Sequence, residues 1–381
     1  MAGSVFVETP PPDAEIVVVG GGVAGMSTAL FLARAGRDVV LLERGVPWGD
    51  ASGANAGTLS LQVKRTEVLD LCKLSLDVWR RFGDEMGIDV GFGQPGGLRV
   101  ATTEAEVAHL REYSEEQRGG GLEFEWLEGN QLRAMAPWLS IGVRAATFCT
   151  GDAYSSPLLA GGSLTAGVAK AGGRIVGHAE VTGLARENGA FRIETPKGTI
   201  RAKTLVITAG PWSGGLARML GVALPIYVDV NMLSITEPAP KLLDRVITHI
   251  GGILSLKQLA NGTILIGGGW QGRSRFASME KFADHVRLGQ NLTTAVSVVP
   301  GLAELRLVRT WAGYEAVAPD ALPTFGRLPG VDSAYIAAAA RGGFTFGPGQ
   351  GLLISEMILG QPPSTPIGRF DPARLLTGAY A

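Results

Sequence analysis

A run of β-branched residues near the start of the chain predicts a buried strand. Residues 16–19 read Ile-Val-Val-Val, the composition expected of a strand that is covered on both faces. A helix is predicted over residues 26–35, and a second apolar run at 39–42 predicts the next strand. The order strand, helix, strand is typical of an α/β unit.

Hydrophobic spacing and glycine or proline breaks predict the remaining elements. Helices are predicted at residues 71–82, 104–119, 130–138, 157–171 and 350–359. Strands are predicted at residues 98–102, 174–176, 179–181, 191–195, 199–202, 204–208, 227–236, 253–256 and 263–268, with a last strand from residue 334. Asn261-Gly262 is expected to form a two-residue hairpin turn.

A glycine pattern between the first strand and the first helix points to a specific chemistry. Gly20 permits a tight turn, Gly22 lets the backbone approach a pyrophosphate, and Gly25 allows the helix to pack closely on the strand. The N-terminus of the helix then faces the phosphate charge. Glu43 ends the second strand, at the offset of an acid that accepts hydrogen bonds from a ribose. The pattern predicts dinucleotide binding, with a purely structural glycine turn as the alternative.

Composition and charge agree with a soluble enzyme. The chain has 381 residues, of which 46% are apolar and 55 are glycine, so it can bury a substantial core in two domains. A formal net charge of −1 gives little support for nucleic-acid binding, and the apolar runs are too short or too broken to span a bilayer. Residues 1–14 lack the pattern of a signal peptide, so we expect a flexible lead-in and a cytoplasmic location.

Cysteine and histidine show no pattern typical of a metal site or a disulfide. Cys72 and Cys149 are isolated, and the four histidines are scattered along the chain. The chemistry is therefore expected to come from a bound cofactor.

Several segments resemble the superfamily of D-amino-acid oxidase, glycine oxidase and sarcosine oxidase. After the glycine pattern, Glu43-Arg44 leads to the small-residue loop 51–57, which in that family wraps the pyrophosphate and the edge of the flavin ring of FAD. Residues 204–212 resemble the family's second strand and turn, and residues 319–351 resemble its closing Pro-Asp loop, last strand, glycine-rich turn and final helix. Taken singly, loop 51–57 is also compatible with a linker, and 204–212 with any strand that leads into a helix.

The resemblance implies an α/β fold with a discontinuous, Rossmann-like FAD-binding domain at residues 14–90, 152–221 and 312–368. An α+β substrate domain built on a mixed sheet is expected at residues 91–151 and 222–311. FAD is expected to be non-covalent, because sarcosine oxidases with covalent flavin carry a cysteine where this chain has Gly313. The residues implied to bind FAD are Gly20, Gly22, Val23, Ala24, Gly25, Glu43, Arg44, Ser52, Gly53, Asn55, Ala56, Gly57, Val181, Ala209, Gly210, Trp212, Gly342, Gly343, Phe344 and Thr345.

The implied reaction is oxidation of the C–N bond of an amino acid or a secondary amine. A hydride passes from the carbon beside an unprotonated nitrogen to flavin N5, and the resulting imine hydrolyses, so no strong protein base is required. A relative that oxidises hydroxy acids is an alternative, as is a flavin-binding protein without turnover. The electron acceptor is expected to be oxygen or, if the chain is a flavin subunit of a larger dehydrogenase, a redox partner protein.

Two charged residues bear on the substrate. Arg341 stands where glycine oxidases hold a substrate carboxylate, which suits a guanidinium fork, although an arginine that caps a strand end is the alternative. Glu315 stands where the same enzymes have a second arginine, and this departure is closer to the flavin subunits of opine and hydroxyproline dehydrogenases. Glu315 is expected to face a cationic amine or to pair with Arg309 or Arg341. Further candidates for the pocket lining are Tyr227, Asn231, Trp270 and Gln62.

Overall fold

The computed structural model describes residues 5–339 and 341–377. Within these ranges the helices are α1 Val23–Arg34, α2 Leu69–Asp84, α3 Glu104–Gly119, α4 Gly129–Met135, α5 Pro157–Lys170, α6 Ser213–Met219, α7 His285–Val298 and α8 Gly343–Ile358. The strands are β1 Asp13–Val19, β2 Val39–Leu42, β3 Thr58–Leu59, β4 Gly97–Ala101, β5 Glu125–Glu128, β6 Ala145–Cys149, β7 Ala153–Tyr154, β8 Arg174–Val176, β9 Gly183–Glu187, β10 Ala190–Thr195, β11 Gly198–Ile207, β12 Tyr227–Thr236, β13 Val246–His249, β14 Ser255–Gln258, β15 Ile264–Gly267, β16 Arg273–Arg275, β17 Glu280–Phe282, β18 Leu307–Val317, β19 Thr324–Arg327 and β20 Ala334–Ala339.

The first sheet is built around the predicted N-terminal strand. Its order is β19-β20-β11-β1-β2-β8, and β1 pairs in parallel with both β2 and β11. Ile16 and Val18 point into the core on one face of this sheet, while Val17 and Val19 point into a second core on the other face. Helices α1, α2 and α8 contribute to the first core and α6 to the second, which explains why residues 16–19 of β1 are all apolar.

The second sheet has the order β18-β12-β15-β14-β13-β4-β6-β5. Its pairs are antiparallel except for β13 with β4, so it is the mixed sheet that the sequence predicts. One face packs against α4 and α7 in a third core. The predicted fold class is confirmed: an α/β unit of the Rossmann type is joined to an α+β unit.

One strand bears on the domain boundary expected between residues 311 and 312. Strand β18 belongs to the second sheet over its whole length, because it pairs with β12 from Tyr227↔Val317 to Thr236↔Leu307. It therefore crosses the boundary expected between residues 311 and 312. The division into two domains stays a proposal, with β18 as the segment that connects them.

Helices with strong end signals lie where they were predicted. The predicted helix 104–119 is α3 without any shift, because Thr103 and Glu106 form a capping box at its start and three glycines, 119–121, end it. Helix α5 begins at the predicted Pro157, with the Ser156 side chain capping its first turn. Helices α6 and α7 were not predicted, although Asp284 caps α7 by accepting hydrogen bonds from Val286 N and Arg287 N at 3.1 Å each.

The prediction that the last helix begins at Gln350 is wrong, because α8 starts at Gly343. Its glycines and Pro348 disfavour a helix in isolation. Two of these glycines are required by close packing on α1: a Cβ at Gly347 would lie 2.4 Å from Val23 Cγ1, and one at Gly351 would lie 2.6 Å from Ser27 Cβ. The predicted glycine-rich turn is therefore the first turn of this helix.

Two further local predictions are wrong. Residues 179–181 form no strand, because Ala179 N donates to Glu43 O at 2.8 Å and the segment crosses the end of the first sheet. The turn at Asn261-Gly262 belongs to a three-residue loop, closed by the hydrogen bond from Leu259 N to Thr263 O at 2.8 Å. Gly262 has a φ of +87° in this loop, which explains the glycine.

The expectation of a flexible lead-in is also wrong for the described part of residues 1–14; residues 1–4 lie outside the described ranges. Phe6 forms a parallel bridge with Ile175, and Val7 N donates to Ile175 O at 3.0 Å. Asp13 already belongs to β1. None of the helices in the described ranges combines the length and apolarity needed to cross a membrane.

Candidate cofactor and substrate site

A cavity of about 790 Å³ lies between the two sheets, and its walls come from segments that are far apart in the sequence. Most of the predicted site residues line it. These are Gly20, Gly22, Val23, Ala24, Glu43, Arg44, Ser52, Asn55, Ala56, Val181, Ala209, Gly210, Trp212, Gly342, Gly343, Phe344 and Thr345 for the cofactor, and Asn231, Glu315 and Arg341 for the substrate.

The glycines of the first turn have different surroundings. A Cβ at Gly25 would lie 1.9 Å from Gly20 O, and one at Gly20 would lie 2.5 Å from Thr208 O. These two glycines are therefore needed for packing. A Cβ at Gly22 would meet only Ser52 Oγ, at 3.1 Å, so Gly22 keeps the turn open toward the cavity.

The start of α1 and the end of β2 supply polar groups to the same end of the cavity. Val23 N donates to Ser52 Oγ at 2.9 Å, so Ser52 lies directly at the helix N-terminus, where an anion is favoured. The Glu43 carboxylate accepts from Gly21 N at 2.7 Å and from Gly45 N at 2.8 Å. These bonds fix its orientation and leave lone pairs for a ribose hydroxyl.

Loop 51–57 is tightly held against its surroundings. Added Cβ atoms would lie 2.2 Å from Trp48 O at Gly53 and 2.0 Å from Ser155 O at Gly57. Asn55 Oδ1 accepts from Gly57 N at 2.7 Å. Gly53 and Gly57, like Gly25, are absent from the cavity lining and allow the close packing that shapes it.

Three buried side chains of the lining that sequence reasoning missed carry polar atoms without a hydrogen-bond partner in the described part of the chain. They are Trp48 Nε1, Thr248 Oγ1 and Gln350 Nε2. An unpaired buried polar atom costs about 1–3 kcal/mol, so a polar ligand that meets these atoms is favoured. The volume, the open glycine turn and these atoms together fit FAD.

A cluster of charged and aromatic side chains at the cavity joins the segments that follow β2 and β11 to the hairpin of β16 and β17. The Asp50 carboxylate pairs with Arg44 and, at 2.7 Å, with Lys281. Burial alone would raise the pKa of Asp50, but the hydrogen bonds from Lys281 and Arg44 outweigh it and hold this pKa below its usual value. The Arg44 guanidinium lies 3.4 Å from the centre of the Trp212 ring, and that ring stacks on Phe276.

Glu315 is a buried acid at the substrate end of the cavity. It accepts hydrogen bonds from Gly342 N and from Asn231 Nδ2, each at 2.6 Å. Burial raises its pKa, and the Gly342 bond and the nearby charges of Lys64 and Arg341 offset only part of the rise. The expected pairing with Arg309 is not among its described contacts. Lys64 lines the cavity as well and was not predicted.

Arg341 lies at the edge of the same region. Its Nη2 donates to Asp229 Oδ2 at 2.7 Å, and 59% of its side chain is exposed. The guanidinium is therefore held beside the cavity by a partner on β12.

The remaining predicted substrate residues do not line the cavity. Gln62 is buried in a polar network, where its Nε2 donates to Gly97 O at 2.9 Å and to Asp152 Oδ2 at 3.1 Å. Tyr227 is 58% exposed at the start of β12. Trp270 donates from Nε1 to the carbonyl of Ile253, which does line the cavity, so Trp270 acts at most through that residue.

Both cysteines lie away from the cavity lining, and burial raises the pKa of the Cys72 and Cys149 thiols to about 12. Among residues 5–339 and 341–377, no cluster of histidine, cysteine and acidic side chains has the geometry of a metal site.

Comparison with known proteins gives consistent matches over nearly the whole chain. The family model DAO, described as FAD dependent oxidoreductase, matches residues 15–357. Glycine oxidase from Bacillus licheniformis is 27% identical over 92% of this chain and 94% of its own length. Mouse dimethylglycine dehydrogenase is 28% identical over 96% of this chain, but the match spans only 45% of that protein. The crystal structure of L-proline dehydrogenase from P. horikoshii is 26% identical, with a TM-score of 0.88 over 96% of this chain and 99% of that one.

Proposed function

Because the chain belongs to the DAO family of FAD dependent oxidoreductases, we propose that it oxidises the C–N bond of an amino acid or a secondary amine. The similar proteins are named for such substrates: glycine, dimethylglycine and L-proline. The observation that carries the proposal is the arrangement of Arg341, Glu315 and Lys64 around one end of the cavity.

The cofactor would be held by groups at the other end. Gly22 leaves room for a pyrophosphate at the start of α1, and Glu43 is oriented by two backbone N–H groups to accept from a ribose. Trp48, Thr248 and Gln350 offer unpaired polar atoms. We propose that FAD is bound without a covalent link, because neither cysteine lines the cavity.

Bound FAD supplies the hydride acceptor, and the imine that is produced hydrolyses in water. The role of this chain is to orient the substrate. The Arg341 fork matches a carboxylate geometrically. Glu315, held by Gly342 N and Asn231 Nδ2, provides negative potential for the amine end of the substrate when it is ionised.

A second candidate concerns the electron acceptor. Two of the similar proteins are dehydrogenases by name, and the chain spans less than half the length of dimethylglycine dehydrogenase. We therefore propose, as the alternative to reaction with oxygen, that electrons pass to a redox partner protein.

Anaerobic substrate screening tests the function. FAD-loaded protein is mixed with glycine, sarcosine, dimethylglycine and L-proline, with glycerol phosphate as a non-amine control, and the visible flavin absorbance is followed. We expect bleaching by at least one amine and none by the control. Bleaching by the control alone would instead indicate carbinol oxidation, and a flavin that no compound bleaches would contradict the proposal. Peroxide release in air identifies an oxidase, and turnover only with a dye identifies a dehydrogenase.

A further inference from the structure

Lys64 is half-buried in the wall of the cavity, at the end where Arg341 and Glu315 lie. Its Nζ lies 4.8 Å from the centre of the Phe346 ring and forms no hydrogen bond or ion pair within the described ranges. An ammonium group carries three hydrogen-bond donors and no acceptor. The donors of Lys64 are therefore available to a ligand.

The main chain at Lys64 is held firmly in place. Its N–H donates to Leu61 O at 3.0 Å. Its carbonyl oxygen accepts from Tyr113 Oη and from Gln117 Nε2, each at 2.9 Å, and both of these residues belong to α3. The side chain thus extends from a fixed point, which reduces the ordering that is needed when a ligand binds.

The ammonium end of Lys64 lies against Gly342. A Cβ at Gly342 would lie 2.2 Å from Lys64 Nζ, so the glycine makes room for the ammonium group. Gly342 N donates to Glu315 Oε1 at 2.6 Å, and the residue before this glycine is Arg341. Lys64 and Arg341 are both close enough to act electrostatically on Glu315. Two cations and one acid therefore meet at a single turn.

Lys64 differs from the other basic side chains of the cavity lining because it has no acidic partner. Within the described ranges three other basic side chains line the cavity, and each is paired: Arg44 with Asp50, Arg65 with Glu67, and Arg341 with Asp229. Under the proposed function, a substrate carboxylate replaces Asp229 on Arg341 and the amine lies at Glu315. Lys64 then still lacks a counter-charge, and a second anionic group on the substrate would supply it.

We propose that the substrate is an amino acid with a second carboxylate, and that Lys64 Nζ binds this second carboxylate. The inference rests on the proposed function, because it names the substrate class of the same site. A carboxylate accepts a charge-assisted hydrogen bond from an ammonium group. Amino dicarboxylates share this chemistry whether the second carboxylate stands on the side chain or on a substituent of the nitrogen.

Matched pairs of compounds test the substrate class by anaerobic reduction of the FAD-loaded protein. Each pair has a dicarboxylate and its neutral amide: glutamate and glutamine, aspartate and asparagine, and iminodiacetate and its monoamide, with both enantiomers of the chiral compounds. We expect flavin reduction at least about tenfold more efficient with the dicarboxylate in one pair or more, and the pair that responds shows where the second carboxylate stands. Bleaching by glycine, sarcosine or L-proline without a preference in any pair would overturn this inference and leave the proposed function standing. A flavin that no amine bleaches would overturn both.

Variants of Lys64 assign the preference to this side chain. Lys64→Met keeps the apolar stem over Phe346 and should lower the ratio of dicarboxylate to amide efficiency about tenfold or more, because a hydrogen bond to a charged group contributes at least that much. Lys64→Arg should keep most of the ratio, since the charge remains. Lys203→Met, at an exposed position on β11, removes the same charge elsewhere and should keep the ratio of the unmodified protein.

The ratio also separates binding of the substrate from an indirect role of Lys64. If Lys64 acts only on Glu315 or on the flavin, Lys64→Met changes the efficiency with both members of a pair equally, and the ratio stays constant. A constant ratio would therefore overturn the assignment of Lys64. If Lys64→Met does not fold, Lys64→Gln is measured with the same expectation.

Discussion

Arg341 has a partner that a substrate carboxylate is able to replace. Its ion pair with Asp229 joins side chains that are 59% and 32% exposed. Exposed ion pairs of this kind contribute about 0–1 kcal/mol, so loss of the Asp229 contact costs little. Under the proposed function we therefore expect a substrate carboxylate to replace Asp229 on the guanidinium.

Substitutions of Arg341 and Asp229 test whether Arg341 binds the substrate or only caps the end of a strand. Arg341→Ala should leave the flavin spectrum intact and lower kcat/KM roughly 10-fold to 150-fold for a carboxylate substrate, but hardly at all for the matching amine without a carboxylate. Arg341→Lys should recover only part of the loss, because an ammonium lacks the two-pronged geometry. Asp229→Asn is the matched control and should keep or improve KM, since it frees the guanidinium. Equal losses of kcat/KM on both substrates would move Arg341 out of the substrate site.

At the scale of elements, the glycine turn and α1 form one unit, in which Gly25 and Gly22 have different roles. Gly25 lies against Gly20 O, while Gly22 faces the cavity. The first supports the packing of the helix on the sheet, and the second supports the ligand.

Alanine substitutions in this unit should therefore have different effects. Gly25→Ala places a Cβ 1.9 Å from Gly20 O and should lower the free energy of unfolding of the FAD-free protein by about 1–3 kcal/mol or more. Gly22→Ala should fold with little loss of stability but bind FAD at least several-fold more weakly, because the added methyl group stands where a phosphate must approach. Thermal melts and FAD titration measure the two effects, with Gly162→Ala in α5 as a neutral control, since no atom lies within 4 Å of its Cβ. Full FAD affinity in Gly22→Ala would mean that the turn is only structural.

Helices α3 and α8 show which structural features can be predicted from the sequence and which cannot. Helix α3 is predictable because its end signals, the capping box of Thr103 and Glu106 and the following glycines, are local. The start of α8 is not, because its glycines are explained by contacts with α1 and α2, which lie far earlier in the chain. Residues 179–181 were misassigned for a similar reason: Ala179 N donates to Glu43 O, a contact with a residue far away in the sequence.

At the scale of the whole molecule, the cavity is assembled from both sheets and from the first, middle and last parts of the chain. Motifs with a backbone requirement, such as the turn at Gly20 and the loop 51–57, are visible in the sequence. Thr248 and Lys64 carry no such pattern, because their place in the lining depends on how the two sheets meet. Gln62 lies close in sequence to loop 51–57, but its side chain points into a buried polar network and does not line the cavity.

We propose that FAD is retained by non-covalent contacts from several segments of the cavity wall. If it is held without a covalent bond, acid precipitation should release intact FAD into the supernatant and leave a colourless pellet. Unfolding removes the contacts from all segments at once, and the two thiols lie outside the cavity lining. Absorbance of the two fractions measures the outcome, with free FAD added to a flavin-free protein as the control for trapping. A yellow pellet would contradict the non-covalent assignment.

The bridge between Phe6 and Ile175 also bears on how copies of the chain behave toward one another. Strand β8 is the last strand of the first sheet in this direction, and such an outer strand offers hydrogen-bonding groups to any chain that meets it. Phe6 and Val7 occupy that position on β8, through the bridge and the bond from Val7 N to Ile175 O. Residues 6–7 thereby cover part of this edge, which is expected to disfavour pairing with the edge of another copy.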